Sequence, residues 1–227
     1  MVLKPFVIAI RPDDLECLNG VVSLGALAEA DWLRKERERE GVALLRGRAL
    51  SEARRRIRTE RARLRTSGVL LGTRDLVVAQ AIGAELKARG WDMPYEPVPH
   101  DARGIPGRPV GTSPRHYEKD EDGEPALTGR MPVRLPADLA EQMLRALHWE
   151  MAPIVAALWE WKDRWGDGPT VILKEAERNG LGGSFLAHWI AGTAPRANAD
   201  AILERAQLQA QTVTTGDVIR AAVQRAI

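Results

Sequence analysis

Arginine is the chemically active residue type that this sequence concentrates most strongly. Between Arg34 and Thr66 the chain carries thirteen Arg or Lys residues and five Glu residues, a local net charge of +8, whereas the whole chain has a net charge of +2. Guanidinium groups at this density can bind the phosphates of a nucleic acid and release its counterions. The interspersed glutamates also allow a second interpretation, a solvated helix whose charges pair along its surface.

The other reactive side chains do not complete a catalytic motif. His148 and Glu150 match the HxE pattern of zinc deaminases, but the Pro-Cys-x-x-Cys that accompanies it is missing. The acidic run 118–124 lacks the spacing of an EF-hand, and the glycines at 180–183 lack the lysine of a P-loop. Cys17 is the only cysteine, which excludes an intramolecular disulfide and a multi-cysteine metal site. We therefore expect neither enzyme activity nor a cofactor.

The hydropathy of the chain indicates the cellular compartment that we expect for it. The apolar run at the N-terminus is too short for a signal peptide, and no stretch approaches the roughly 18 apolar residues of a membrane span. A single cysteine also fits a reducing compartment. We expect a cytoplasmic protein that has no membrane partner.

The elements that must position these side chains are mainly helical. We predict an Arg-rich helical region over residues 1–90, a Pro- and Gly-rich acidic linker over 91–132, and a multi-helix domain over 133–227 that contains a helix-turn-helix. The linker contains eight prolines and is too polar to repay its ordering entropy by burying apolar surface. It is the expected boundary between two domains.

Local signals give the expected limits of several elements. We predict a short strand near Phe6–Ile10, a helix that starts at Pro12, and a break at Asn19–Gly20. Further helices are expected at Val21–Ser67 with interruptions near Gly41 and Gly47, at Leu76–Ala88, at 170–179, 184–191 and 198–209, and from a cap at Thr214 onward.

The segment 172–192 has the residue pattern of two helices joined by a tight turn. The small Ala176 allows close approach of a second helix, and Gly180 can adopt the positive φ that turns the chain. Leu181 would fill the space between the two helices, while Leu186 and Trp189 would pack the second helix inward. Gly192 would end that helix, twelve residues after Gly180.

This segment resembles the helix-turn-helix of the lambda-repressor/Cro-like family. The resemblance extends over roughly residues 155–225, where 198–209 would match the fourth helix and inward side chains would come from Ile202, Leu203 and Ala206. It implies that the second helix lies in the major groove of double-stranded DNA. The residues nearest the bases would then be Ser184, Ala187 and His188, and the phosphates would be bound by Lys174, Arg178 and Arg196.

A second resemblance competes with the first. Residues 131–144 resemble the opening of a ribbon-helix-helix protein, in which two chains each contribute one strand to a ribbon that enters the major groove. Val133 and Leu135 would face the core, Arg134 would point toward DNA, and helices would begin near Ala137 and Pro153. The other interpretation is an ordinary strand or coil that leads into a helix.

These observations favour a DNA-binding protein, a transcriptional or mobile-element regulator that is a homodimer because one helix-turn-helix reads few bases. The alternative is a non-enzymatic helical interaction or structural protein that self-associates through its N-terminal helices. Leu50, Ile57 and Leu64 have heptad spacing and would form an apolar seam for helix pairing, either within one chain or between chains.

Overall fold

A two-stranded antiparallel ribbon joins distant parts of the chain. The computed structural model describes residues 2–104, 125–166 and 196–227. Strand β1 (Leu3–Ile10) pairs with strand β2 (Gly129–Pro136), from Leu3 opposite Pro136 to Ile10 opposite Gly129. Side chains of a strand alternate between its two faces, and one face of this ribbon is buried. Its inner face carries Ile8, Ile10, Met131, Val133 and Leu135.

Polar side chains occupy both outer edges of the ribbon. The backbone N–H of Arg134 donates to Oδ1 of Asp75 at 3.0 Å, and the carbonyl of Ala9 accepts from Nη1 of Arg220 at 2.8 Å. Backbone groups two residues apart in a strand point the same way, so alternate residues from these positions also face outward. The backbone nitrogens of Pro5 and Pro132 therefore face outward, so their missing N–H groups cost the ribbon no hydrogen bond between its strands.

Six helices make up most of the remaining described chain, and their limits follow the sequence signals in part. In chain order they are α1 (Pro12–Arg39), α2 (Gly47–Thr66), α3 (Arg74–Ala88), α4 (Ala137–Trp165), α5 (Arg196–Ala210) and α6 (Thr215–Ala226). The mainly helical fold class is confirmed. The start at Pro12 and the cap at Thr214 are also confirmed. None of the helices in the described ranges is both long enough and apolar enough to span a membrane.

The apolar core takes side chains from both sides of the predicted linker. Helices α3 and α6 pack against each other and against the inner face of the ribbon, and α1 and α4 complete the layer. The cluster includes Leu18 of α1, Val78 and Ile82 of α3, Met143 of α4, and Ile219 of α6. Residues on either side of the predicted linker thus share one hydrophobic cluster.

The predicted break at Asn19–Gly20 is wrong, and so is the helix start near Pro153 that the ribbon-helix-helix resemblance implied. Helix α1 continues through Asn19–Gly20, where Gly20 is exposed and the neighbouring Leu18 is fully buried in the core. Helix α4 continues through Pro153, which lies on its solvent-exposed side, where water can bind the carbonyl that the proline ring displaces.

Two observations contradict the ribbon-helix-helix resemblance. It required a helix beginning near Pro153, yet that residue is inside α4, and it required a strand from a second chain, yet β2 pairs with β1 of its own chain. Val133 and Leu135 do face the core, as expected. Arg134 is exposed, but its Nε donates to Asp75 at 3.1 Å.

The first part of the predicted linker lies along α4. Four side chains of α4 donate hydrogen bonds to its carbonyls: Gln142 to Trp91 (3.2 Å), Arg145 to Tyr95 (3.2 Å), Trp149 to Glu96 (2.8 Å) and Trp159 to Gly104 (2.9 Å). Residues 91–104 form neither a helix nor a strand, turn at 100–101, and are attached to α4 at four points. The last residues of the predicted linker belong to β2, so the strand begins earlier than expected.

Candidate nucleic-acid interface

The arginine-rich segment forms an antiparallel helical hairpin. The turn between α1 and α2 contains Gly41 and precedes Gly47, and both glycines have positive φ (62° and 55°), which favours glycine over residues with a Cβ. Helix α2 buries Ala53 and Ile57, with the seam leucines Leu50 and Leu64 half-buried on the same side. The heptad seam therefore pairs helices within one chain, and the opposite side of α2 faces solvent.

Ion pairs hold the base of this hairpin together. Glu29 of α1 is only 3% exposed, and its Oε1 accepts from the guanidinium groups of Arg61 and Arg65, the latter with Nη2 at 2.7 Å. Burial opposes ionisation of Glu29, but the hydrogen bonds and charges of the two arginines outweigh it and lower its pKa. Gly72 lies against this carboxylate, where a Cβ would overlap Oε2. The cluster is an internal clamp, so these two arginines are already engaged.

Three of the other six arginines of α2 also have carboxylate partners. Nη2 of Arg56 lies 2.6 Å from Oε2 of Glu40 at the other end of the hairpin, and this hydrogen bond lowers the pKa of Glu40. Arg48 pairs with Glu52 (2.8 Å), and Arg63 pairs with Glu60 (2.7 Å). The predicted ion-paired helix surface is thus correct for this part of the segment.

Three arginines remain, and they share one side of the helix. Arg54, Arg55 and Arg58 are exposed and make no hydrogen bond or ion pair with any residue in the described parts of the chain. A helix advances 100° per residue, so positions 54, 55 and 58 fall within one 100° sector that does not include the buried Ala53 and Ile57. We call these three residues the cationic face of α2.

The cationic face has the chemistry of a phosphate-binding surface. A guanidinium group presents a planar fork of donors that matches two phosphate oxygens, and an unpaired one need break no ion pair to bind. Helix α2 contains eight arginines and two glutamates, so the field around the face is positive. The sequence indicated the charge of the segment. The side opposite the seam of Leu50, Ile57 and Leu64 also carries the paired Arg48, so the seam alone does not select these three arginines.

Most of the DNA-contacting residues expected from the helix-turn-helix resemblance lie outside the part of the chain that the structure describes. Five of them are outside the described residues: Lys174, Arg178, Ser184, Ala187 and His188. The predicted helices at 170–179 and 184–191 and the acidic run 118–124 also lie outside them. Arg196 is the first residue of α5.

Helix α5 corresponds to the helix expected at 198–209. It packs against α4, where Nε1 of Trp161 donates to the carbonyl of Ala201 at 2.8 Å and the guanidinium of Arg205 lies 4.5 Å from the indole ring centroid. Ile202 is buried as expected, whereas Leu203 and Ala206 are only half-buried. Ala201 and Arg205 take the buried positions instead.

The HxE pair of α4 has a structural role. Glu150 accepts a hydrogen bond from the hydroxyl of Tyr95 at 2.7 Å, and His148 packs edge-to-face on Trp149. Burial and the nearby Glu150 carboxylate raise the pKa of Tyr95 to about 12. Within the described residues no three His, Cys, Asp or Glu side chains come together as a metal site would require.

Comparison with known proteins adds no family to this description. The chain matches no protein-family model, no curated protein and no solved structure.

Proposed function

We propose that this chain is a DNA-binding protein whose cationic face on α2 binds backbone phosphates. The main support for this proposal is that Arg54, Arg55 and Arg58 are exposed on one side of α2 and have no partner among the described residues. The other five arginines of α2 form ion pairs, either with α1 or within α2. The helix-turn-helix-like segment supplies base contacts through Ser184, Ala187 and His188, with phosphate contacts from Lys174, Arg178 and Arg196. Its role is that of a transcriptional or mobile-element regulator.

Counterion release is the physical basis of this proposal. Each phosphate that an arginine neutralises frees condensed cations, so affinity falls steeply as salt rises. Phosphate contacts carry no sequence information, whereas base contacts do. The two surfaces therefore have separable signatures, salt sensitivity for α2 and sequence preference for the C-terminal segment.

The first test is fluorescence anisotropy of the full chain on a random DNA duplex, titrated between roughly 0.05 and 0.2 M salt. We expect binding that weakens with salt. The variant Arg54→Ala, Arg55→Ala, Arg58→Ala should lower the slope of log affinity against log salt by about 3, since each lost phosphate contact removes about 0.9.

A charge-matched control separates a local surface from net charge. Arg11, Lys87 and Arg130 are exposed, lie outside α2 and make no ion pair with the described residues. Their joint replacement by Ala removes the same three charges and should leave the slope nearly unchanged. Equal losses for both triple variants would contradict a specific cationic face, and no binding at low salt would contradict DNA binding altogether.

The helix-turn-helix part has its own experiment. Sequence selection from a random duplex pool should enrich a site, and His188→Ala with Ser184→Ala should weaken binding to that site without changing the salt slope. Arg178→Ala with Arg196→Ala should weaken binding to all duplexes alike. A pool that yields no preferred site would remove base reading from the proposal and leave only phosphate binding.

A further inference from the structure

The α1–α2 hairpin has two flanks, one on each side of the line along which its helices touch. Helix α1 faces α2 with Glu29, Glu36 and Glu40. A helix advances 100° per residue, so Arg37 and Arg39 project from this line in opposite directions, each by about 80°. Arg37 therefore lies on one flank of the hairpin, and Arg39 lies on the other.

Helix α2 is divided in the same way by its buried side at Ile57. Glu60 projects to the flank that carries Arg39: a hydrogen bond from Arg63 lowers the pKa of Glu60, and the nearby charge of Arg39 lowers it further. The opposite flank of α2, which is therefore the flank of Arg37, carries four arginines at the helical spacing i, i+4, i+7 and i+11: Arg54, Arg58, Arg61 and Arg65.

The register of the hairpin brings Arg37 close to these arginines. Glu40 is paired with Arg56 near the tip of the hairpin. The antiparallel helices then place Arg37 beside the turn of α2 that contains Arg54 and Arg58. Arg37 is exposed, and its guanidinium makes no hydrogen bond or ion pair with the described residues. Packed helix axes lie about 8–10 Å apart, so arginines of both helices can reach one ligand on this flank.

The two arginines that clamp Glu29 also have donors left for a ligand. Arg61 donates to Glu29 from Nε, and Arg65 donates from Nε and Nη2. A guanidinium group carries five N–H donors, so both side chains retain N–H groups that point away from Glu29. The two side chains are 36% and 32% exposed, so a phosphate can bind them without breaking the clamp.

The charges of the two flanks differ. On the flank of Arg37, Glu29 is the only carboxylate that pairs with any of the five arginines in the described part of the chain, which leaves an excess of four positive charges. On the opposite flank, Glu36, Glu40 and Glu60 each pair with one arginine, so the charges balance. We call the residues of the positive side the arginine flank: Arg37, Arg54, Arg58, Arg61 and Arg65.

We propose that the backbone of one strand of a DNA duplex lies along the arginine flank, in contact with both helices. This inference rests on the proposed DNA binding and extends it beyond the cationic face of α2. From Arg54 to Arg65 the flank is about 17 Å long, which accommodates several consecutive phosphates of one strand. Each guanidinium fork can bind two oxygens of one phosphate. On α1 the same flank carries the small Ala26 and Ala30, which allow the strand to approach closely.

The first experiment maps the reactivity of each arginine in the full native chain. An arginine-selective dicarbonyl reagent is applied at low salt with and without a saturating random DNA duplex, and mass spectrometry gives the modification rate at each position. We expect the duplex to slow modification severalfold at all five residues of the arginine flank. Three arginines of the opposite flank, whose side chains are 70%, 61% and 65% exposed, are the controls and should react at unchanged rates: Arg39, Arg56 and Arg63.

The second experiment compares one variant on each flank. Arg37→Gln removes an exposed guanidinium that holds no other described residue in place, so the fold should be unaffected. It should lower the slope of log affinity against log salt by about 0.9, the value of one phosphate contact. Arg63→Gln removes the same charge from the opposite flank and should leave the slope nearly unchanged. Circular dichroism checks that both variants keep the helical content of the native chain.

The outcomes distinguish this inference from the proposed function. A duplex that binds and protects Arg54 and Arg58, but protects neither Arg37 nor the arginines that clamp Glu29, would overturn the arginine flank and leave the cationic face as the binding surface. Equal protection of both flanks would also overturn it, as would equal loss of slope for Arg37→Gln and Arg63→Gln. Absence of duplex binding at low salt would overturn both the inference and the proposed function.

Discussion

The α1–α2 hairpin and the ribbon-centred core are stabilised in different ways. In the core, β1, β2, α3, α4 and α6 bury aliphatic side chains such as Ile82, Leu135 and Ile219. In the hairpin, α2 buries only Ala53 and Ile57, and the strongest links between the helices are Glu29 with Arg61 and Arg65 and Glu40 with Arg56. The core is stabilised mainly by buried apolar surface, and the hairpin is stabilised mainly by ion pairs.

This difference has consequences for stability and for function. Salt does not screen apolar burial, whereas it does screen exposed ion pairs. A helix held by ion pairs can also carry excess arginine on its outer side, because its packing requires few apolar residues. We expect the hairpin to open locally at lower free energy than the core.

The largest expected effect is a cavity in the core. Ile82 is fully buried in α3, so Ile82→Ala removes packing that the neighbouring helices cannot fully replace. The free energy of unfolding should fall by about 2–5 kcal/mol. Urea unfolding followed by circular dichroism measures this loss, with Leu44→Ala at the exposed tip of the hairpin as a control that should change little. A loss below about 1 kcal/mol would mean that the core is not the main source of stability.

The hairpin clamp should give the next largest effect. Arg61→Ala with Arg65→Ala leaves the buried Glu29 carboxylate without a cation. Because both arginines are partly exposed, we expect a loss of about 2–3 kcal/mol, less than for a fully buried pair. Adding Glu29→Gln should restore part of it. Hydrogen exchange should locate the faster opening in α2 and in the part of α1 that faces it, while protection of α3 and α6 persists. Equal loss throughout would show that the two regions unfold together.

The same two regions show what local sequence signals can and cannot give. The start of α1 at Pro12, the end of α3 before Gly90 and the cap of α6 depend on a few neighbouring residues and were predicted. The pairing of β1 with β2 joins residues more than 100 positions apart, and no local pattern specifies it.

Tertiary contacts also override local signals. Gly20 predicts a break, but Leu18 is buried in the core, and Gly25 lies so close to the chain after α2 that a Cβ would be 2.5 Å from the carbonyl oxygen of Leu71. These contacts keep the helix continuous. For the site, composition identified the arginine-rich segment. Which arginines are paired depends on Glu29 and Glu40, which the fold brings from α1 to α2, and on the glutamates of α2 itself.

A capping variant at α6 should give a smaller effect that depends on pH. The hydroxyl of Thr214 both donates to Oδ2 of Asp217 (2.7 Å) and accepts from its backbone N–H (3.3 Å). Thr214→Ala should cost about 1 kcal/mol near neutral pH. Burial opposes ionisation of Asp217, but bonds from Thr214 and Arg220 outweigh it and lower its pKa below the usual 3.8.

The sign of the pH dependence follows from that shift. A carboxyl with a lowered folded-state pKa stabilises the fold above its unfolded value of 3.8, and this contribution is lost as pH falls through the folded value. The difference between Thr214→Ala and the native chain should therefore shrink in acid. Urea midpoints measured at neutral pH and below the folded value test this, and Thr66→Ala, at an exposed position in the last turn of α2, is a control that should show no such convergence.

The smallest expected effect belongs to the surface of α2. Glu60 and Arg63 pair at 2.7 Å, but both are well exposed, and bonding to Arg63 lowers the pKa of Glu60 without burial to strengthen it. Glu60→Gln should leave the thermal midpoint unchanged within error at high salt and lower it only slightly at low salt. Glu60 lies about 120° or more around the helix from each arginine of the cationic face, so the same change should leave the salt dependence of DNA binding nearly unchanged. A variant with a clearly steeper salt dependence would show that bound phosphate also contacts the side of α2 that carries Glu60 and Arg63.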